Sequence, residues 1–176
     1  MQVTISANGK NIKAEISEEQ AKILGLAEDK PKTGYERVDE DESYFVDDTI
    51  NDGHEVIGGG GTLVNNLYYN NGNYYNDKTI VENNARADRL LRQLRQWQAL
   101  NDKSISEKDW NDESKKKWFV AYSYGAEKLY ADYYYIMRLP NTIHFATKEK
   151  AEEAIEVFRD ELIWYFVEYQ QRLDEE

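Results

Sequence analysis

The chain lacks cysteine altogether, holds two histidines, and contains no apolar run long enough to cross a bilayer. Without cysteine there can be no disulfide, no thiolate zinc site and no cysteine nucleophile. His54 and His144 are too few, and too oddly spaced, for a zinc motif or a histidine-based triad, and both read as structural histidines. The longest apolar cluster, Leu162-Ile163-Trp164-Tyr165-Phe166-Val167, falls far short of the roughly 20 residues a spanning helix needs. Gly58-Gly59-Gly60-Gly61 lacks the Lys-Ser/Thr ending of a phosphate loop and opens no helix, so it reads as a loop. Basic residues are also in deficit, 22 Lys and Arg against 34 Asp and Glu, for a net charge of -12. That balance disfavours a general nucleic-acid binder, which needs Lys and Arg for phosphates. The opening Met1-Gln2-Val3-Thr4-Ile5 has neither the basic flank nor the apolar core of a secretion signal, and a cytoplasmic setting is expected.

What the chain does have is tyrosine, 14 against five phenylalanines, and a strand-to-helix unit that occurs twice. The first copy opens at Ser43-Tyr44-Phe45-Val46-Asp47 and reaches Tyr74-Tyr75-Asn76-Asp77. The second opens at Lys117-Trp118-Phe119-Val120-Ala121 and reaches His144-Phe145-Ala146-Thr147. In each, an aromatic strand end sits two residues before a polar helix cap. Such a duplication speaks to architecture. Asp77 caps a helix to about Leu100, with Ala87, Leu90, Leu91, Leu94 and Trp97 on its apolar stripe. Thr147 caps the last helix, whose core face runs from Ala151 to Tyr169. Near its end Ile163, Trp164 and Val167 make it apolar nearly all round, so something must cover it.

The remaining segments follow local rules. Asn8-Gly9 between alternating runs predicts a hairpin, and Ser17-Glu18-Glu19-Gln20 is a capping box for a short helix that Gly25 ends. Residues 1–28 thus form a small hairpin-helix module, and 29–42 read as a solvated acidic linker. The two repeats span 43–102 and 117–176. Within them, residues 65–75 suggest short strand and turn pieces. Further strands are expected at Tyr44–Val46 with Glu55–Ile57, near Trp118–Tyr122, at Tyr130–Met137 and at Ile143–Phe145. A short helical turn is expected from Ser106. The fold class is α+β: two related β-rich units, each followed by a long helix covering a mostly antiparallel sheet, with the N-terminal module in front.

Three features are candidate surfaces. Arg86, Arg89, Arg92 and Arg95 recur every three residues, about 300° per step, and so form a belt over half the helix. Residues 78–118 hold ten basic residues against seven acidic ones, in an otherwise acidic chain. Either the belt pairs internally with carboxylates, or it binds an anion or partner. The tyrosines are the second: Tyr133 and Tyr135 face opposite to Tyr134, and with Tyr68, Tyr69 and Trp164 they are candidates for an aromatic interface. Third is the acidic run Asp39-Glu40-Asp41-Glu42, a candidate acidic interface. Asp47-Asp48, the most compact carboxylate pair, reads as an exposed strand end. No catalytic set, metal or cofactor is expected.

Three stretches resemble an uncharacterised group of small accessory proteins from phages and prophages of Gram-positive bacteria. They are the opening, with Asn8-Gly9-Lys10, Ile16-Ser17-Glu18-Glu19-Gln20 and Pro31-Lys32-Thr33-Gly34-Tyr35-Glu36-Arg37; then Gly72-Asn73-Tyr74-Tyr75 with Ala87-Asp88-Arg89-Leu90-Leu91-Arg92-Gln93-Leu94; and Phe145 through Ala154. The resemblance implies a viral, host-modulating context and assigns no residue a role. On it rests the leading expectation: a non-enzymatic protein that binds and inhibits a host protein in the host cytoplasm, in the manner of an anti-defence or anti-CRISPR inhibitor. Its partner would be a defence nuclease or effector. The alternatives are a nucleic-acid or nucleotide-binding module using the arginine helix, and a structural protein self-associating through the C-terminal helix. No membrane partner is expected.

Overall fold

The computed structural model describes residues 2–7, 10–26, 32–39, 42–48, 53–58 and 63–174. The chain divides into two units, Met1–Thr33 and Gly34–Glu176.

In the first unit, β1 (Gln2–Ala7) pairs antiparallel with β2 (Lys10–Glu15), with Ile5 opposite Ile12. The expected Asn8-Gly9 turn lies outside the described residues. Helix α1 (Glu18–Ile23) starts at the expected capping box: Ser17 Oγ accepts from the Gln20 N–H, and the Gln20 side chain accepts from the Ser17 N–H. Gly25 ends it at φ 66, a left-handed angle glycine adopts without strain. There the Gly25 and Leu26 N–H groups donate back to Lys22 and Ala21 carbonyls.

The second unit holds both repeats. β3 (Ser43–Asp48) pairs antiparallel with β4 (Gly53–Gly58), and after α2 (Leu63–Asn70) comes the long α3 (Lys78–Asn101). A short α4 (Glu107–Trp110) leads to the hairpin β5 (Lys117–Ser123) with β6 (Lys128–Tyr134), then α5 (Lys148–Val157) and α6 (Arg159–Val167). The α+β class is as the patterning implies: small antiparallel sheets, with α3 packed on β3 and β4, and α5 on β5 and β6.

The bridge and the helix cap recur in both copies. Phe45 and Tyr75 exchange two backbone hydrogen bonds (2.7 and 3.0 Å), and so do Trp118 and Phe145 (3.0 and 2.7 Å). Two residues later Asp77 and Thr147 cap their helices, each accepting the N–H three residues on. Between bridge and cap, the Asn76 N–H donates to the Gly34 carbonyl, and the Ala146 N–H to Asp102 Oδ2. Helix α3 serves both copies. Ile80 and Val81, near its start, pack with Tyr75 and Phe45, while Leu90 and Leu94 join Phe145, Ala151, Ala154 and Leu162.

Four expectations are corrected. Within the linker 29–42, residues 34–38 are no tether: Tyr35 packs on Tyr75 with ring centroids 5.0 Å apart, and the Val38 N–H donates to the Tyr74 hydroxyl. Gly34 itself, at φ 93, lies so close to Ile80 that a Cβ would meet its side chain at 3.0 Å. Apolar Tyr35 and Val38 outweigh the acidic neighbours, so this segment belongs to the first repeat. Residues 63–70 are helix instead of strand pieces, anchored by buried Asn65, whose Oδ1 accepts from the Tyr44 hydroxyl at 2.5 Å. The last helix is two: Phe158, at φ -113 and ψ 20, leaves helical geometry between α5 and α6. Finally, the expected strand at 143–145 amounts to a single bridge at Phe145.

Candidate functional site

The arginine belt divides. Arg86 holds Glu161 with both arms of its guanidinium (2.8 and 2.9 Å) and lies 3.9 Å over the Trp164 ring. Their hydrogen bond raises the Arg86 pKa and lowers that of Glu161. Arg89 adds to the positive field on Glu161 and has further contacts of its own. Arg92 and Arg95 are exposed and form no ion pair among the described residues. Pairing therefore explains half of the belt only.

Of the aromatic candidates, Trp164 is buried beneath Arg86 and offers no free surface, which corrects its reading as an interface residue. Ile163 and Val167 on the same helix are exposed, so the cover that this helix needs is incomplete. Tyr68 packs on the Tyr44–Val46–Tyr74 cluster, and Tyr69 lies under Arg37. The Tyr133 and Tyr135 rings meet edge to face at 5.4 Å and Tyr134 stacks on Phe119, but Tyr135 lies past the end of β6, which stops short of the strand expected to Met137. Tyr133 is engaged by Trp118 and by Lys116; Tyr135 is exposed. In the acidic run, the Asp39 N–H donates to Glu42, closing a local turn, and Glu40 and Asp41 lie outside the described residues. Asp47 and Asp48 are half-buried rather than exposed.

His144 is buried. Its Nδ1 lies 3.2 Å from the Thr142 carbonyl, Trp110 meets its ring edge to face, and its Nε2 has no hydrogen-bond partner among the described residues. Burial lowers its pKa, outweighing the hydrogen bond to the Thr142 carbonyl, and the nearby Arg138 charge acts in the same direction as burial. His54 stands in β4 opposite Asp47. Among the described residues no three His, Asp or Glu side chains could hold a metal, and no helix is long and apolar enough to cross a membrane.

A site that sequence reasoning missed lies beside β5. A cavity of about 400 Å³ opens between α3, β5, residues 140–145 and α6. Leu90, Leu91 and Leu94 form its α3 wall, Val120 and Tyr122 its strand wall, Ile143 and Phe145 its third side, and Tyr165 and Phe166 its end. No carboxylate, histidine, lysine or arginine lines it. A water's share of liquid volume is about 30 Å³, so this is room for side chains. The neighbouring cavity, about 330 Å³, shares Thr142 and Ile143 with it and lies one turn further along α3, at Arg95 and Gln98, with Arg138 and His144 opposite.

Along the cavity, β5 has an edge with no partner strand among the described residues. Trp118 turns both backbone groups toward Phe145, so by alternation Val120 and Tyr122 turn theirs the same way. Nothing meets them among the described residues, since β5 pairs only with β6 and, at Trp118, with Phe145. In the first repeat the position matching Val120 is closed, and the one matching Tyr122 lies outside the described residues. Asp47 corresponds to Val120, two residues after the bridged aromatic. Its N–H donates to Asn73 Oδ1 (2.7 Å), and Asn73 Nδ2 donates to its carbonyl (3.1 Å). Ile143 holds the place of Asn73, two residues before the bridge, and an alkyl side chain can do neither. Comparing the strand-to-cap motifs residue by residue would have exposed this difference in the sequence.

Against known proteins, the chain matches no family model, no curated protein and no solved structure.

Proposed function

We propose that this chain is a non-enzymatic protein-binding protein whose partner docks at the cleft along β5. In the phage setting that its sequence resemblance implies, the partner is a host protein, and binding inhibits it as an anti-defence inhibitor would. One observation carries the reading: an apolar cleft of side-chain size lies against unpaired strand backbone. Such surface is costly to leave in water and is characteristic of interaction sites. A lining without acid or base groups suits contact better than chemistry. The nucleic-acid alternative is weakened because Arg86 is already engaged with Glu161 and Trp164, in a chain of net charge -12.

The test is capture from a lysate of a Gram-positive host with the wild-type chain and with Leu91→Trp, which fills the cleft from a half-buried helix position. A stoichiometric host protein is expected on the wild type and absent from the variant. Equal capture by both, or capture by neither, would sink the reading.

A further inference from the structure

The first repeat displays what satisfies this kind of edge. At Asp47 the strand's N–H and C=O are met by a carboxamide, Asn73, which accepts and donates at once. A peptide group of an extended chain offers the same pair of functions. In the second repeat the neighbouring position is in fact closed that way: Phe145 meets Trp118 through its main chain alone. Beyond it, Val120 and Tyr122 present two further donor–acceptor pairs along the wall of an apolar cleft. The groups left open are therefore those of a strand awaiting its neighbour, with a pocket for the neighbour's side chains.

The charge beside the cleft adds a second requirement. Arg95 and Arg138 border the adjoining cavity and form no ion pair among the described residues, although the chain carries 34 carboxylates. Leu91 and Leu94 face the first cavity and Arg95 and Gln98 the second, on successive turns of α3. An occupant that fills the apolar cleft and extends along α3 meets unpaired positive charge.

We propose that the second repeat takes up an extended peptide segment of its partner as an added strand on β5, with apolar side chains in the cleft and an acidic residue toward Arg95 and Arg138. This rests on the protein-binding reading above and specifies how the partner is held. Main-chain pairing supplies the affinity in such strand addition, and the pocket supplies selectivity. The first repeat, its edge closed at Asp47 by Asn73, takes up nothing.

The probe is a displayed library of random linear twelve-residue peptides, selected on the whole chain. Enriched peptides are expected to combine apolar residues with a nearby Asp or Glu. On binding, the amide protons of Val120 and Tyr122 gain exchange protection. Ile143→Asn, which installs the first repeat's closing carboxamide, is expected to weaken binding about tenfold or more, since it competes for a pair of hydrogen bonds. Should that variant fold poorly, peptides N-methylated at alternate residues serve instead: one register abolishes binding and the other leaves it intact. Arg95→Glu is expected to remove the preference for the acidic residue. Peptides that bind without protecting Val120 and Tyr122, and tolerate both N-methyl registers, would overturn strand addition while leaving cleft binding intact. No enrichment at all would also overturn it. Loss of host-protein capture on Leu91→Trp would still uphold the broader reading in either case.

Discussion

Asn73 and Ile143 hold the same place in the two repeats, and the strand edges beside them differ in kind. In the first repeat a carboxamide closes the strand edge at Asp47; in the second, an alkyl group leaves Val120 open and a cleft beside it. The position just before each bridged aromatic diverges as well. Tyr44 is buried with its hydroxyl on Asn65. Lys117, equally buried, donates its ammonium to the carbonyls of Asp112, Lys115 and Tyr135. A duplicated frame thus carries one copy that is closed upon itself and one that is tied down at its start and open along its edge.

Lys117 offers the largest way to break the comparison. Lys117→Met would leave three carbonyls without their charged donor, and a loss of about 3 kcal/mol is expected by chemical denaturation. Tyr44→Phe, at the matching position, should cost about 1 kcal/mol. Equal losses would mean that the two anchors are not distinct in kind.

Next comes the edge itself. Asn73→Ala removes two hydrogen bonds and should cost about 2 kcal/mol, whereas Ile143→Ala should cost only its share of apolar packing, about 1 kcal/mol. If Asn73→Ala proves as mild as Ile143→Ala, the carboxamide does not close the first edge.

The arginine belt gives a smaller effect. Arg86→Ala loses a part-exposed ion pair and a ring contact, about 1 kcal/mol together, while Arg92→Ala and Arg95→Ala should stay within about 0.5 kcal/mol. Thermal unfolding of the three variants checks this.

The smallest effect is a pH dependence confined to the second repeat, where His144 stands in the place of Tyr74. Burial holds the His144 pKa below its ordinary 6.5 in the folded chain. The unfolded state therefore binds the extra proton first, and stability falls as pH drops from about 6.5 toward the depressed folded value. His144→Phe should flatten that part of the stability profile; an unchanged slope would assign it elsewhere.

Local chemistry made much of this fold legible. The caps at Ser17, Asp77, Ser106 and Thr147 depend on side chains and neighbours within one turn, and each begins its helix where expected. The paired aromatics Tyr75 and Phe145, two residues before a cap, marked the duplication for the same reason. Burial was less legible. Residues 34–38 look like a solvated tether by composition, yet they pack on Ile80 and Tyr75, which lie some 40 positions away in the chain. Trp164 looked like a contact residue until Arg86, from another helix, covered it.

The sequence by itself determined the alternation of the strands and the starts of the capped helices α1, α3, α4 and α5, because those follow from short-range hydrogen bonding and the spacing of apolar residues. Only the tertiary structure decided which arginines are spent on carboxylates and which strand edge is left without a neighbour. Both outcomes depend on groups far apart in the chain meeting, or failing to meet, in space.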